Sequence, residues 1–472
     1  MSFIETMQRI FKPEHKPADD TPIVRHRLPT EAELALGYAW GDEKGQDVFQ
    51  LRGVSQKDRA SHFYVIGGTG TGKTKFLESL ILQDIRNGVG FGVIDPHGDL
   101  VEYVKGRLAL FREGLGERVV LIDPTDEKNT VCFNPLEKAE NVSAAEQAAE
   151  LVLVFKKIWY DAWGARMEDL LRNTLIALIE NEETLAEVPL LLTDAIVREK
   201  LTRNLKNETC RQYFERFNSL SKSVKDEWTE STLNKVNAFL SDERIRQIFL
   251  SRKSSFNLRE IIDGGKILLV KLDKGRLKGG SELLGSLLLS KIQMAAFSRT
   301  DTKESERQPF YLYIDEFQNF ATESFIDILA EARKYKLSLT LAHQNLSQLP
   351  EKLRASILGN CGLQAYFRIS RLDAELLAKE SFAGLYAEPP GWETYIQELQ
   401  GLPQRVCLVK NRIEGGIVVI RTPDVEDDEI PAVEIGGSYL RSREEVGLEY
   451  RARRETLLAD DEPESFRENK KI

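Results

Sequence analysis

Two small groups of residues in this sequence have the types and spacing to act on a polyphosphate. Gly67, Gly72, Lys73 and Thr74, in the stretch GGTGTGKT, satisfy the pattern G-x-x-x-x-G-K-[ST]. In such a loop, successive backbone N–H groups and the N-terminus of the following helix form a nest for anionic oxygens. The run Gly67, Gly68, Thr69, Gly70, Thr71, Gly72, Lys73 and Thr74 is therefore the candidate phosphate-binding segment. Lys73 is placed to reach the outer phosphates of ATP, and Thr74 to set its hydroxyl on Mg²⁺. The second group is Asp315-Glu316, closing the apolar run FYLYI. Acidic residues often end strands by chance, so this pair gains its meaning from the phosphate loop. Asp315 is the candidate Mg²⁺ residue, directly or through the ion's water shell. Glu316 is the candidate general base that orients and activates the attacking water.

Further positions belong with these. Gln344 follows the apolar run LSLTLA, where a polar side chain at a strand tip can touch the γ-phosphate or the water; the plainer reading is a loop-capping amide. Arg368 and Arg371 follow the apolar run Leu363–Phe367. One of them could enter a neighbouring subunit's site and offset charge on the transferring phosphoryl group, or either could form a structural salt bridge. Asp95 and His97 end the run GFGVID and face the usual ligand crevice of a parallel sheet. Arg59 and His62, just before the first core strand, read as nucleotide or subunit contacts, or as an ordinary solvent-facing lead-in.

The elements that must hold these residues follow from the apolar runs. Phe63–Ile66 is a short strand feeding the glycine loop, and a periodic segment after it is a helix. The runs GFGVID, RVVLID, KILLVKL, FYLYI and LSLTLA are strands separated by helical patterns, which argues for a parallel α/β sheet. Between Pro135 and Phe256 the pattern becomes helical almost throughout, entered by the capping box Ser143-Ala-Ala-Glu146. The expected divisions are residues 1–58 as an N-terminal arm and lead-in, 59–134 and 257–422 as two parts of one α/β core, 135–256 as an all-helical insertion, and 423–472 as a charged C-terminal tail. Smaller expectations are a short helix over Thr30–Trp40, with Thr30 as cap and Glu33 at the capping-box position, a polar loop over Asp273–Gly280, and a hairpin across Asn411–Gly415. Gly447 weakens a helix over Glu444–Leu458, so the final stretch reads as mobile or partner-dependent.

Composition sets outer limits. The chain has 472 residues, 42% of them hydrophobic, enough for more than one core. A formal net charge of -10 argues against a generally basic nucleic-acid coat, yet leaves room for a local basic patch. No apolar run is long enough to span a membrane, and the first residues lack a signal peptide's apolar core. Cys132, Cys210, Cys361 and Cys407 are scattered, as are the histidines, so a structural zinc site is not expected and a reduced, cytoplasmic protein is.

Taken in order, HFYVIGGTGTGKT, GVIDPHGDL, VVLIDP with CFNP, LNKVNAFLSDERIRQIF, FNLREIIDGGKILLVKLDKG, LYIDEFQNF and LAHQNLSQL give the chain a wider likeness. It resembles the FtsK/HerA superfamily of DNA-pumping motors, and within it the soluble ATPase part of conjugative DNA-transfer coupling proteins of type IV secretion. The resemblance covers roughly residues 60–370. It implies a RecA-like P-loop NTPase core with a predominantly parallel sheet and an inserted all-helical domain linked to substrate recognition. It also implies ATP-driven DNA translocation by a homohexamer, with Lys73, Thr74, Asp315, Glu316 and Gln344 in the matching motif positions. Arg368 or Arg371 falls where a trans-acting arginine is usually supplied. Membrane-anchored relatives carry N-terminal transmembrane helices that this sequence does not show, which shifts the expectation to a soluble ring ATPase acting on DNA. An ATPase that handles protein cargo, or gates a nuclease or relaxase-type partner, is the alternative. Asp273–Gly280, with Lys274, Arg276 and Lys278, is a candidate DNA-tracking pore loop or else an outer-surface turn.

Overall fold

Phe63, Tyr64, Val65 and Ile66 are all buried, as a strand covered on both faces of a parallel sheet must be. This strand is the spine of the molecule. The computed structural model describes residues 23–25, 33–43, 46–111, 117–139, 142–322, 324–381, 390–413, 416–425 and 437–459. Its strands are β1 (Ile23–Arg25), β2 (Leu34–Glu43), β3 (Gln46–Val54), β4 (Phe63–Ile66), β5 (Phe91–Asp95), β6 (Val119–Ile122), β7 (Asn129–Thr130), β8 (Ile267–Lys271), β9 (Phe310–Ile314), β10 (Leu337–His343), β11 (Leu363–Tyr366), β12 (Val406–Asn411), β13 (Ile417–Arg421) and β14 (Arg441–Ser442). The chain forms two compact units. One holds Met1–Val119, Glu260–Val270 and Arg299–Ile435, and the other Val120–Arg259, Lys271–Ser298 and Gly436–Ile472.

In the first unit the strands lie in the order β1-β3-β2-β13-β12-β11-β4-β10-β9-β5-β8. The central pairs β11–β4, β4–β10, β10–β9 and β9–β5 are parallel, while β11–β12, β12–β13, β13–β2 and β2–β3 are antiparallel. The α/β expectation is met, and β12–β13 is the expected hairpin. Thr30–Trp40 is a correction: Leu34–Glu43 is strand β2, paired along its length with β3. Leu34 and Leu36 are buried there, and sheet pairing outweighs the local helix-start signal. The part of the expected arm before residue 23 lies outside the described residues.

Arg59 and His62 are also corrections, because neither faces solvent or the ligand crevice. The Arg59 guanidinium forks onto Asp84 through two 2.9 Å hydrogen bonds and lies 3.5 Å over the Tyr311 ring. The Tyr313 hydroxyl donates to the same carboxylate at 2.6 Å. The cluster ties the lead-in to the helix Lys73–Asn87 and to β9. His62 is buried and its Nδ1 accepts the Leu339 N–H at 3.1 Å, fixing the start of β10; burial pushes its imidazole down to about 4.

The second unit is mainly helical, with long helices at Ala144–Ile158, Ala165–Glu180, Lys222–Leu240, Gly279–Phe297 and Arg443–Leu458. The Ser143 capping box is present: Ser143 Oγ accepts the Glu146 N–H at 3.2 Å, and the Glu146 carboxylate accepts the Ser143 N–H at 2.9 Å. Ser143→Ala is expected to cost about 1 kcal/mol of this unit's stability, measurable by urea titration. The stretch Asp273–Gly280 is not an open loop. Lys274–Leu277 is a short helix, Lys274 pairs with Glu282 at 2.7 Å, and Gly279 already begins the next helix. The helix Arg443–Leu458 is anchored rather than loose. Val446 and Tyr450 join a buried cluster with Cys132, Ala186 and Leu250, and Arg453 reaches Glu187 at 2.7 Å. The four cysteines are buried and unpaired, and among the described residues no helix is long and apolar enough to cross a membrane.

Candidate active site

Sterics fix the phosphate loop. A Cβ added at Gly67 would lie 2.6 Å from the Phe367 Cβ, so no side chain fits where β4 passes into the loop. Gly72 has φ +104°, a left-handed conformation that favours glycine, and a Cβ there would meet the Arg405 Cα at 3.0 Å. Thr71 Oγ1 donates to Gly68 O at 2.8 Å, closing the loop on itself. Gly72 supplies no side chain to cap the helix Lys73–Asn87, so that helix presents its first N–H groups to the space above the loop.

Parallel register delivers the acidic pair. His343 on β10 stands opposite Ile66 on β4, and Ile314 on β9 stands opposite Leu341 on β10. The residues just past β9 and β10 therefore arrive beside the start of the loop. Lys73 Nζ lies 2.8 Å from Glu316 Oε1 and 3.2 Å from Asp315 Oδ1, with all three side chains buried. Gln344 Nε2 donates to Glu316 Oε1 at 2.9 Å, and Gln318 Nε2 donates to Glu316 Oε2 at 2.8 Å. Thr69 Oγ1 donates to Gln344 Oε1 at 3.2 Å, tying the loop tip to the same network. Glu316 itself sits at φ 45°, ψ 48°, a left-handed backbone that costs free energy for a residue with a side chain.

The two carboxyl groups are tuned apart. Burial pushes the Glu316 carboxyl up, but the Lys73 charge and the hydrogen bonds from Gln318, Lys73 and Gln344 outweigh it and hold the group below its ordinary range. Burial also raises Asp315; there the Lys73 charge falls short of offsetting it, because Glu316 and Asp95 add repulsion. Beneath them the buried His343 has Nε2 against the Tyr64 hydroxyl at 2.5 Å, joining β10 to β4. Burial and the nearby Lys73 charge push its imidazole down to about 3, so it is neutral at physiological pH.

These groups surround a cavity of about 250 Å³, which also meets Thr74, His97 and Gln404. The structure thus brings Lys73, Thr74, Asp315, Glu316 and Gln344 together on the loop Gly67–Gly72. It does not bring the two arginines there. Arg368 touches the loop only through its carbonyl, which accepts the Gly68 N–H at 2.9 Å, and its side chain is exposed. Arg371 pairs with Glu375 at 2.8 Å and Glu393 at 3.4 Å. Sequence reasoning missed Gln318, two residues beyond Glu316, and Gln404, which no local pattern marks.

A family model for the DNA-binding domain of type IV secretion-system coupling proteins matches residues 52–381. The chain belongs to this family. No curated protein matches it at the level of sequence. Among solved structures, the plasmid coupling protein TrwB in complex with the non-hydrolysable GTP analogue GDPNP is similar, with 18% identity and TM-score 0.57 over 79% of this chain and 88% of that one. TrwB in complex with ADP and Mg²⁺ has 17% identity and TM-score 0.54, over 80% and 89% of the two chains. VirB4 of Thermoanaerobacter pseudethanolicus has 14% identity and TM-score 0.56, over 85% and 99%. The coupling-protein family and these shared folds confirm the expected α/β architecture, with its large, mostly parallel sheet. The match ends at residue 381, so Gln404 and the helix Arg443–Leu458 lie beyond it.

Proposed function

We propose that this chain is a Mg²⁺-dependent ATPase that couples hydrolysis to DNA movement as a homohexameric ring. The observation that carries the proposal is the connected cluster of Lys73, Asp315, Glu316 and Gln344 against an uncapped glycine loop. Backbone N–H groups of the loop hold the phosphates, and Lys73 turns from the carboxylates to the outer phosphates. Glu316, ionised and oriented by Gln318 and Gln344, takes a proton from the attacking water. Thr74 and Asp315 fit Mg²⁺, a hard cation that uses few protein oxygens when phosphates supply others. Among the described residues no group of three or more metal-ligating side chains competes with that arrangement. When bound, the ion neutralises phosphate charge. The TrwB complexes with ADP and Mg²⁺ and with triphosphate analogues support this ligand set. The family's description as a DNA-binding domain supports DNA as the partner.

The test is ATP hydrolysis with and without single- and double-stranded DNA, with native mass measured in parallel. DNA-stimulated turnover by a hexamer is expected; a monomer indifferent to DNA overturns the motor reading. The trans arginine is Arg368, exposed beside the loop and without an ionic partner among the described residues, whereas Arg371 is already engaged. Mixing Lys73→Ala subunits with Arg368→Ala subunits, each inactive alone, is expected to restore measurable turnover at shared interfaces. Mixtures that stay at the level of the separate variants remove Arg368 from that role.

A further inference from the structure

Opposite the catalytic side of the loop, a turn from beyond the family-matched residues reaches the same cavity. The position of Gln404 in the sheet gives it a purpose. In the strand order, β4 has β10 and β9 on one side and β11 then β12 on the other. Glu316 and Gln344 come from the β9–β10 side. Gln404 and Arg405 come from the other side, immediately before β12. Because β12 runs antiparallel to β11, its first residues lie at the same sheet edge as the end of β11 and the phosphate loop.

The turn is built to stay there. Arg405 donates its N–H to Thr71 O at 2.7 Å, inside the phosphate loop. It holds φ 68°, a conformation that costs free energy for a residue with a side chain. Its carbonyl accepts the Thr422 N–H at 2.9 Å and the Thr422 hydroxyl at 3.2 Å, and its guanidinium bonds Pro423 O and pairs with Asp424. Gly72 lacks a Cβ where Arg405 approaches, so loop and turn interlock. Gln404, the residue before it, lines the cavity, and its carboxamide is unengaged among the described residues.

We propose that Gln404 contacts the nucleoside part of the bound nucleoside triphosphate, and that Arg405 is the positioning residue that holds it there. This rests on the nucleotide-binding reading above. If the terminal phosphate lies by Lys73, Glu316 and Gln344, the sugar and base must lead away from β9 and β10, toward β11 and β12. A carboxamide offers both a donor and an acceptor, suited to a ribose hydroxyl or a purine edge. A contact with the phosphates themselves would be the weaker use of it, since the loop and Lys73 already supply charge and N–H groups.

Calorimetric titration of the full chain with Mg·ATP and with inorganic tripolyphosphate separates these roles. Gln404→Ala is expected to weaken ATP binding about 5-fold, the loss of one neutral hydrogen bond, and to leave tripolyphosphate binding unchanged. In turnover, KM for ATP rises while kcat stays within about two-fold, a split that mere loosening of the fold would not give. Gln404 is exposed, so folding is not at stake, and Gln404→Asn is expected to restore part of the ATP affinity. Equal weakening of ATP and tripolyphosphate, or no weakening of either, overturns the assignment. If the unmodified chain binds tripolyphosphate but not ATP, the nucleoside contact fails while the phosphate loop stands. If it binds neither, the nucleotide reading fails and takes this inference with it.

Discussion

Glu316→Gln is expected to lower ATP turnover by roughly 10³-fold, the range of a lost general base, while ATP binding survives. The substitution keeps the side chain's size while removing its negative charge and its ability to take a proton. Its surroundings are prepared for a carboxylate, because one oxygen meets Lys73 and Gln344 and the other meets Gln318. Asp315 remains to hold Lys73 in the nucleotide-free protein, so no ammonium is stranded by the exchange. Binding measured by calorimetry and turnover measured by phosphate release should therefore separate cleanly. Turnover within a few-fold of the unmodified protein would remove Glu316 from the chemical step.

Lys73→Met carries the second large effect. Hydrogen bonds to charged groups outweigh neutral ones, and losing the lysine is expected to weaken ATP binding on the order of 10²-fold. The nucleotide-free protein should change too. With Lys73 present, the Glu316 carboxyl is held below its ordinary range, so its contribution to stability is present above the unfolded glutamate pKa and fades as pH falls through the lower folded value. Without Lys73, burial and the repulsion between the two carboxyl groups are opposed at Glu316 only by the Gln318 and Gln344 hydrogen bonds, so the Glu316 value rises, and that of Asp315, already above its ordinary range, rises further. A raised carboxyl binds more protons folded than unfolded, so its stability contribution is lost as pH rises through that window. The variant should accordingly be destabilised most at pH 7–8 and recover toward the unmodified protein near pH 5 (denaturant titration at both values reads this). An unchanged difference between the two pH values would mean that Lys73 does not set the charge of the pair.

The parts of the site legible in the sequence are those whose geometry is local. Eight consecutive residues suffice for the phosphate loop, because its work is done by backbone N–H groups and by glycines that leave room. Asp315, Glu316 and Gln344 were legible because a buried strand's end is readable from its apolar run, and parallel register then assembles the ends. Gln404 was not legible, since it reaches the loop through an Arg405 N–H bond to a carbonyl more than three hundred residues earlier. Arg59 misled for the same reason. A charged residue beside a strand reads as exposed until Asp84 and Tyr311 are known to enclose it. In β2 the local cap signal was real but weaker than nine residues of hairpin pairing. The helix Arg443–Leu458 looks marginal by composition because what holds it is Cys132, Ala186 and Leu250, none of them near it in the chain.

That last cluster bears on how the protein is made. The chain passes between its two units at 119/120, 259/260, 270/271, 298/299 and 435/436. During synthesis, Cys132, Ala186 and Leu250 leave the ribosome long before Val446 and Tyr450, which complete their core. For that interval the helical unit carries an uncovered apolar surface, and closing it requires bringing together residues on either side of the whole second half of the sheet. The second unit is thus finished only after the last strands of the sheet have been translated, and no truncation that stops at the end of the sheet, near Arg421, leaves it intact.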